Sequence, residues 1–181
     1  AYGDAGCIIT NDDALAIRCR MYSHHGALKK HMHQMEGINS RLDGLQAAIL
    51  SAKLPHLAGW TEKRIQNASL YDKWLAGIPG IGLPKQRPDT KHTWHLYVIR
   101  CGLREKLAEY LSGKGIETSV HYPVALPNLQ VYHYLGYKPC DFPVATQLQN
   151  EILSLPMFPE LTEEMIAYVA DSIRSFFASL F

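Results

Sequence analysis

The stretch WHLYVIRCGLREKLAEYLSGKGIETSVHY, Trp94 to Tyr122, decides the fold. Its opening residues alternate, with Trp94, Leu96 and Val98 on one side and His95, Tyr97 and Ile99 on the other. A period of two predicts a strand. Leu103, Leu107, Tyr110 and Leu111 then fall at helical spacing, and Gly113 or Gly115 supplies the stop. Ile116 to Tyr122 reads as a second strand. Strand, helix and strand in that order make a β-α-β unit and place the chain in the α/β class.

Downstream, residues 123–143 form a long aromatic- and proline-rich connection, and Ala145 to Leu153 reads as a short helix. Thr162 then caps a helix whose first turn carries Glu163 and Glu164. Its apolar residues Ile166, Val169, Ile173, Phe176 and Leu180 keep a 3–4 spacing. Upstream, the Gly- and Pro-rich run Gly77 to Asp89 marks a boundary between two subdomains. Ahead of it, Ser40 and Asp43 form a capping-box pattern before Leu42, Leu45, Ile49, Leu50, Leu54 and Leu57. These positions cover a broad face, so that helix is expected to be largely buried. Pro55 bends or restarts it, and Trp60 to Leu75 continues the helical pattern. His24 to Gly37 has no period and reads as a loop. At fourteen residues it is longer than the usual connection, which favours a functional or interface role. At the start, Gly3-Asp4-Ala5-Gly6 reads as a turn and Cys7-Ile8-Ile9 as a short strand, and Asp12 and Asp13 open a short helix carrying Leu15 and Ile17.

Composition narrows the function. The 181 residues (20.4 kDa) are 47% hydrophobic and 19% charged, enough for a proper core and unlike a disordered tail. Eighteen basic residues balance seventeen acidic ones, which removes the electrostatic footprint of a general nucleic-acid binder. No apolar run approaches the roughly 18 residues of a membrane span, and the start lacks the order of a signal peptide, so a cytoplasmic protein off the membrane is expected. Cys7, Cys19, Cys101 and Cys140 lie far apart and are expected to be reduced thiols. The chain begins at Ala1 without a Met, in what reads as mid-domain sequence, and is expected to be a piece of something longer.

Three groups of residues invite chemistry. His24, His25, His31 and His33 suggest a metal site, but no Cys, Asp or Glu in the loop completes a zinc spacing, and exposed or interface histidines are the expectation. Asn39 and Arg41 flank the capped helix start, where free N–H groups and the helix dipole favour an anion such as a phosphate. Ordinary capping beside a surface arginine is the competing reading. His121-Tyr122-Pro123 ends the second strand, with His121 on the face of Glu117 and Ser119. A strand-end histidine by a long loop suits a substrate contact, and a satisfied core histidine is the alternative. There is no G-x-S-x-G elbow, Walker loop or G-x-G-x-x-G, and Gly80-Ile81-Gly82 lacks the third glycine.

Several stretches together resemble one family. Gly3-Asp4-Ala5-Gly6 with Thr10-Asn11-Asp12 is similar to the segment that follows the cofactor lysine in the PLP-dependent nucleotide-sugar aminotransferases of the DegT/DnrJ/StrS family. The block Gly37-Ile38-Asn39-Ser40-Arg41-Leu42-Asp43 through Leu45-Gln46-Ala47-Ala48 resembles its most recognisable signature. Trp94-His95-Leu96-Tyr97, Gly115-Ile116-Glu117-Thr118 with His121-Tyr122-Pro123, and Leu153-Ser154-Leu155-Pro156 follow in the family's order.

The resemblance implies an aspartate-aminotransferase-type fold, with residues 1–76 ending the large cofactor domain and its connecting dimer helix, and 77–181 forming the small C-terminal α/β domain. It implies a cytoplasmic homodimer with shared active sites, pyridoxal 5'-phosphate as cofactor, glutamate as amino donor and a keto-sugar nucleotide as substrate, in amino-sugar synthesis of the kind that feeds cell-surface polysaccharide. Asn39 and Arg41 would hold the cofactor, Asn39 reaching its phosphate across the subunit boundary, while Arg41, His121 and Tyr122 approach the substrate. No catalytic residue is expected in this chain, because the cofactor lysine falls just upstream of Ala1. Without it the chain alone is expected to be inactive. The alternatives are a non-catalytic dimerisation or regulatory subunit and a cyclitol aminotransferase. Ala125-Leu126-Pro127-Asn128 stands where many relatives carry a further histidine, which leaves the sugar specificity open.

Overall fold

The computed structural model describes residues 1–180, which form two compact units, Ala1–Leu57 and the chain from Ala58 onward. The division falls inside the helical region and well ahead of Gly77. Ala68, Tyr71 and Leu75 are buried in the second unit's core with Ile78, so the last helical turns before Gly77 belong to that second unit.

In the first unit α1 spans Asp13–Ser23, and the Asp12 carboxylate accepts from the Leu15 amide at 3.0 Å, as the sequence leads one to expect. Cys7 to Ile9 is not a strand; it has no ladder partner, and Ile8 and Ile9 are exposed. The histidine-rich stretch is more ordered than a loop. It forms a hairpin of β1 (Ala27–Lys29) and antiparallel β2 (Met32–His33). Gly26 sits beneath it at φ +81°, where an added Cβ would lie 1.7 Å from the Met35 carbonyl oxygen, so no other residue fits.

The capping box is not formed. The helix α2 spans Gly44–Lys53, with Asp43 as an N-cap whose side chain makes no capping bond. Ser40 lies too early because residues 38–40 are held by the end of α1. Ile38 N–H donates to the Tyr22 carbonyl at 2.7 Å and Ser40 N–H to the Ser23 carbonyl at 2.9 Å. Nor is α2 buried within this chain, since Leu45 is 74% exposed and Leu50 37%. Pro55 sits in a 3₁₀ turn, Leu54–His56, that restarts the helix as α3, Leu57–Leu75.

The second unit is a three-stranded sheet with helices on it. Its strands are β3 (Ile81–Gly82), β4 (Tyr97–Cys101) and β5 (Ile152–Leu155), in that order and antiparallel throughout. The expected β-α-β unit is therefore only half present. β4 and α4 (Arg104–Gly113) are there, but Ile116 to Tyr122 contributes a single bridge, Ser119 to Ser154. The partner of β4 is β5, whose residues 153–155 are buried, whereas Tyr122 turns out of extended conformation at φ +67°. The helix read over Ala145 to Leu153 is instead α5, Pro143–Leu148, and then β5. The final helix α6 spans Glu163–Ala178, with Thr162 Oγ1 accepting from the Met165 amide at 3.3 Å. Ile166, Val169, Ile173 and Phe176 are buried along it.

At the centre, the rings of Tyr71 on α3 and Tyr97 on β4 stack 4.8 Å apart. Each phenol is satisfied: Tyr97 donates to the Asp72 carboxylate at 2.6 Å and Tyr71 to the Pro156 carbonyl at 2.9 Å. Burial pushes both phenols well above their ordinary pKa, and the Asp72 charge adds to the effect at Tyr97. Truncating Tyr97→Ala is expected to cost about 3–5 kcal/mol, whereas Tyr97→Phe, which loses only the hydrogen bond, should cost about 1 kcal/mol. Urea unfolding followed by circular dichroism measures both; equal losses would show that the ring is not what matters.

Candidate functional site

The first cluster follows the hairpin in the first unit. Asn39 pairs through its backbone with His24, which fixes the chain just ahead of α2. Its side-chain oxygen accepts from Arg41 Nε at 3.0 Å. That bond leaves the Asn39 amide NH₂ and both terminal Arg41 nitrogens as donors, on two exposed side chains. None of the ion pairs among the described residues involves Arg41. A planar, positively charged group with only donors to offer, beside an amide donor, suits the oxygens of a phosphate or carboxylate. The donors are side chains, not the helix tip, which carries the Asp43 carboxylate instead. The chemistry of this donor set fits the phosphate of pyridoxal phosphate.

The second cluster lies within the second unit. His121 Nδ1 is 2.8 Å from the hydroxyl of buried Ser154 on β5. His121, Glu117, Ser119 and Ser154 line a cavity of about 510 Å³ together with largely apolar residues that include Met157, Phe158 and Tyr168. Ile116 and Thr118 line the same cavity, so the segment, which is not a strand, does not present Glu117, Ser119 and His121 on a face of their own. Tyr122 is 82% exposed and does not line the cavity. Sequence reasoning missed Ser154 and the lining from Pro156 to Phe158. The run Leu153-Ser154-Leu155-Pro156 stood out as a motif, but nothing in its pattern distinguishes a buried serine that holds a histidine from one that fills space.

His25, His31 and His33 serve the hairpin. His33 Nδ1 donates to the His25 carbonyl at 2.7 Å, and His25 and His31 both take positive φ at the turns. Among the described residues no three His, Cys, Asp or Glu side chains converge as for a metal ion. No helix of the described residues is long and apolar enough to cross a membrane.

Comparison with known proteins adds a lineage to this geometry. The pattern of the DegT/DnrJ/EryC1/StrS aminotransferase family matches residues 1–174. The chain is 46% identical over 179 residues to the pleiotropic regulatory protein of Geobacillus stearothermophilus, covering 98% of this chain and 48% of that protein. It is 39% identical over 173 residues to the dTDP-3-amino-3,4,6-trideoxy-alpha-D-glucose transaminase of Streptomyces venezuelae, covering 96% and 46%. Among solved structures, S. venezuelae DesV in complex with a ketimine intermediate superposes with a TM-score of 0.90 at 38% identity, covering 93% of this chain and 46% of that one. The chain spans about half the length of the curated relatives it matches.

Ser154→Ala removes the hydroxyl that His121 Nδ1 meets, at a stability cost of about 1 kcal/mol. The Nδ1 resonance of His121 in a long-range ¹H–¹⁵N spectrum is expected to move; an unchanged signal would uncouple the two residues.

Proposed function

The chain belongs to the DegT/DnrJ/EryC1/StrS aminotransferase family, and from that premise we propose that it is the C-terminal portion of an enzyme converting a keto-sugar nucleotide into an amino-sugar nucleotide, with glutamate as donor. The observation that carries this reading is the likeness, over nearly the whole chain, to the S. venezuelae transaminase, which acts on a dTDP-amino-sugar. That likeness favours a nucleotide sugar over a cyclitol ketone, and a catalyst over a purely regulatory subunit.

Pyridoxal 5'-phosphate, when bound, supplies the electron sink that lets an amino group move between donor and acceptor carbons. In this reading the lysine that anchors it lies ahead of Ala1, so the present residues bind and orient without catalysing alone. Residues 1–76 end the large domain and its connecting helix, whose last turns pack into the core of the small domain formed by 77–181. Asn39 Nδ2 donates to the cofactor phosphate and Arg41 adds its charge there or at a substrate anion. His121, steadied by Ser154, and exposed Tyr122 donate to the substrate. The complete protein works as a cytoplasmic homodimer with shared sites. The apolar surface of α2 and the chain just ahead of and after it, with Leu42, Leu45, Leu50 and Leu54 exposed, is what a partner subunit would cover.

Two experiments test the proposal on the complete enzyme. Asn39→Ala removes one charge-assisted hydrogen bond, so cofactor affinity should fall about tenfold or more, read from the cofactor's absorbance after dialysis. Unchanged retention would remove Asn39 from the phosphate. Turnover with glutamate is expected for dTDP- or UDP-linked keto-sugars and not for cyclitol ketones; the opposite preference would reassign the substrate.

A further inference from the structure

One face of α3 carries Arg64, Asn67 and Tyr71, three and four residues apart and therefore aligned. Each takes a different carbonyl of one short segment. Tyr71 Oη donates to Pro156 O at 2.9 Å, Arg64 Nη1 to Met157 O at 2.8 Å, and Asn67 Nδ2 to Phe158 O at 3.0 Å. Asn67 is only 6% exposed, so its amide is a buried donor that this bond satisfies, and the Phe158 carbonyl also accepts from the Leu161 amide at 3.3 Å.

Arg64 reaches further. The same Nη1 lies 3.3 Å from Trp94 O and 3.1 Å from His95 O, so one half-buried guanidinium ties the chain leaving β5 to the chain entering β4. Trp94 sits at φ +50°, a left-handed conformation rare for a bulky residue, and its amide donates to His92 Nδ1 at 2.8 Å. Such a conformation persists only where surrounding bonds over-determine it, and here they do. None of the ion pairs among the described residues includes Arg64, so its work in the fold is done on carbonyls, not on an acid.

Both segments continue the β4–β5 register, which sets Leu96 beside Pro156, and Leu96, Pro156, Met157 and Phe158 line the cavity beside His121. We propose that Arg64 is a positioning residue for substrate fit: by tying these neighbouring segments together it fixes where Pro156, Met157 and Phe158 stand in the lining of the His121 cavity. The cavity's charged lining residue is Glu117, which repels a diphosphate or a glutamate carboxylate. A hydroxylated, uncharged ring with an apolar face, the sugar end of the substrate, suits a pocket whose lining is largely apolar with a few polar groups. This inference rests on the nucleotide-sugar reading and extends it to a residue with no direct substrate contact.

The test compares Arg64→Met, which keeps the apolar stem and removes the donors, with Arg64→Lys, which restores a donor, in the complete enzyme. Arg64→Met is expected to raise KM for the keto-sugar nucleotide about tenfold while kcat and the glutamate KM stay within about twofold, and Arg64→Lys to recover part of the loss. Amide exchange at Met157 and Phe158 should accelerate in the same order. A merely structural arginine would speed exchange and leave both KM values alone, and that result overturns the proposal, as does an equal rise in both. If Arg64→Met does not fold, Asn67→Ala, which removes one of the two donors to the Phe158 carbonyl, should raise the nucleotide-sugar KM about threefold; no rise has the same force. If the wild-type enzyme accepts cyclitol ketones instead, the functional reading fails, while the clamp is judged by the same ratio on that ketone.

Discussion

The stack of Tyr71 on Tyr97 is the contact through which α3 is joined to the sheet. Two aromatic rings in offset contact bury a large area and add a geometric preference of about 0.5–1.5 kcal/mol beyond it. The cost is two phenolic hydroxyls carried inward, and both are met, one by Asp72 and one by the Pro156 carbonyl. The second bond matters for position as well as for energy. It places the chain after β5 alongside α3, where Asn67 and Arg64 then take the next two carbonyls. Without the stack, that polar ladder would have no fixed distance to span.

The two units distribute their apolar surface in opposite ways. In the second, α6 buries Ile166, Val169, Ile173 and Phe176 against the sheet, and its core is closed within the chain. In the first, neither α1 nor α2 buries a residue, and the leucines of α2 face solvent. Hydrophobic stabilisation follows area removed from water, so a helix with nothing over it gains little from its leucines. The order of the first unit comes instead from local hydrogen bonds, with Asp12 at the start of α1 and residues 38–40 bound to its end. A surface of this kind is complete only when further protein covers it, which agrees with a chain that spans about half of its relatives' length.

Legibility in the sequence depended on which constraint was local. Thr162 with its acidic first turn and apolar 3–4 spacing specified α6, because cap and period are properties of neighbouring residues. The same reasoning failed at Ser40, whose backbone was claimed by Ser23 far behind it in sequence. It failed again at the sheet. Ile116 to Tyr122 reads as extended and Ile152 and Leu153 fall within a helical reading, yet burial pairs Ile152-Leu153-Ser154-Leu155 with β4 over a segment ending in exposed His121 and Tyr122. In the candidate site, residue types were readable and their partners were not. Asn39, Arg41 and His121 stand out by chemistry, whereas Ser154 and Arg64 gain meaning only from the oxygen and nitrogen atoms the fold brings to them.

Arg41 and Arg64 show how far partners decide a role. Both carry the same planar cation, and neither joins an ion pair among the described residues. Arg41 is exposed, with Nε bound to Asn39 and its terminal nitrogens open, so its charge is directed at whatever anion arrives. Arg64 is half-buried and directs one terminal nitrogen at three carbonyl oxygens, which lowers the need for any external anion and fixes backbone instead. In the proposed reading these roles match the two ends of a nucleotide-sugar chemistry. The open cation serves phosphate oxygens, where charge dominates, while the closed one holds part of the lining of a pocket whose charged lining residue is acidic and whose fit depends on shape.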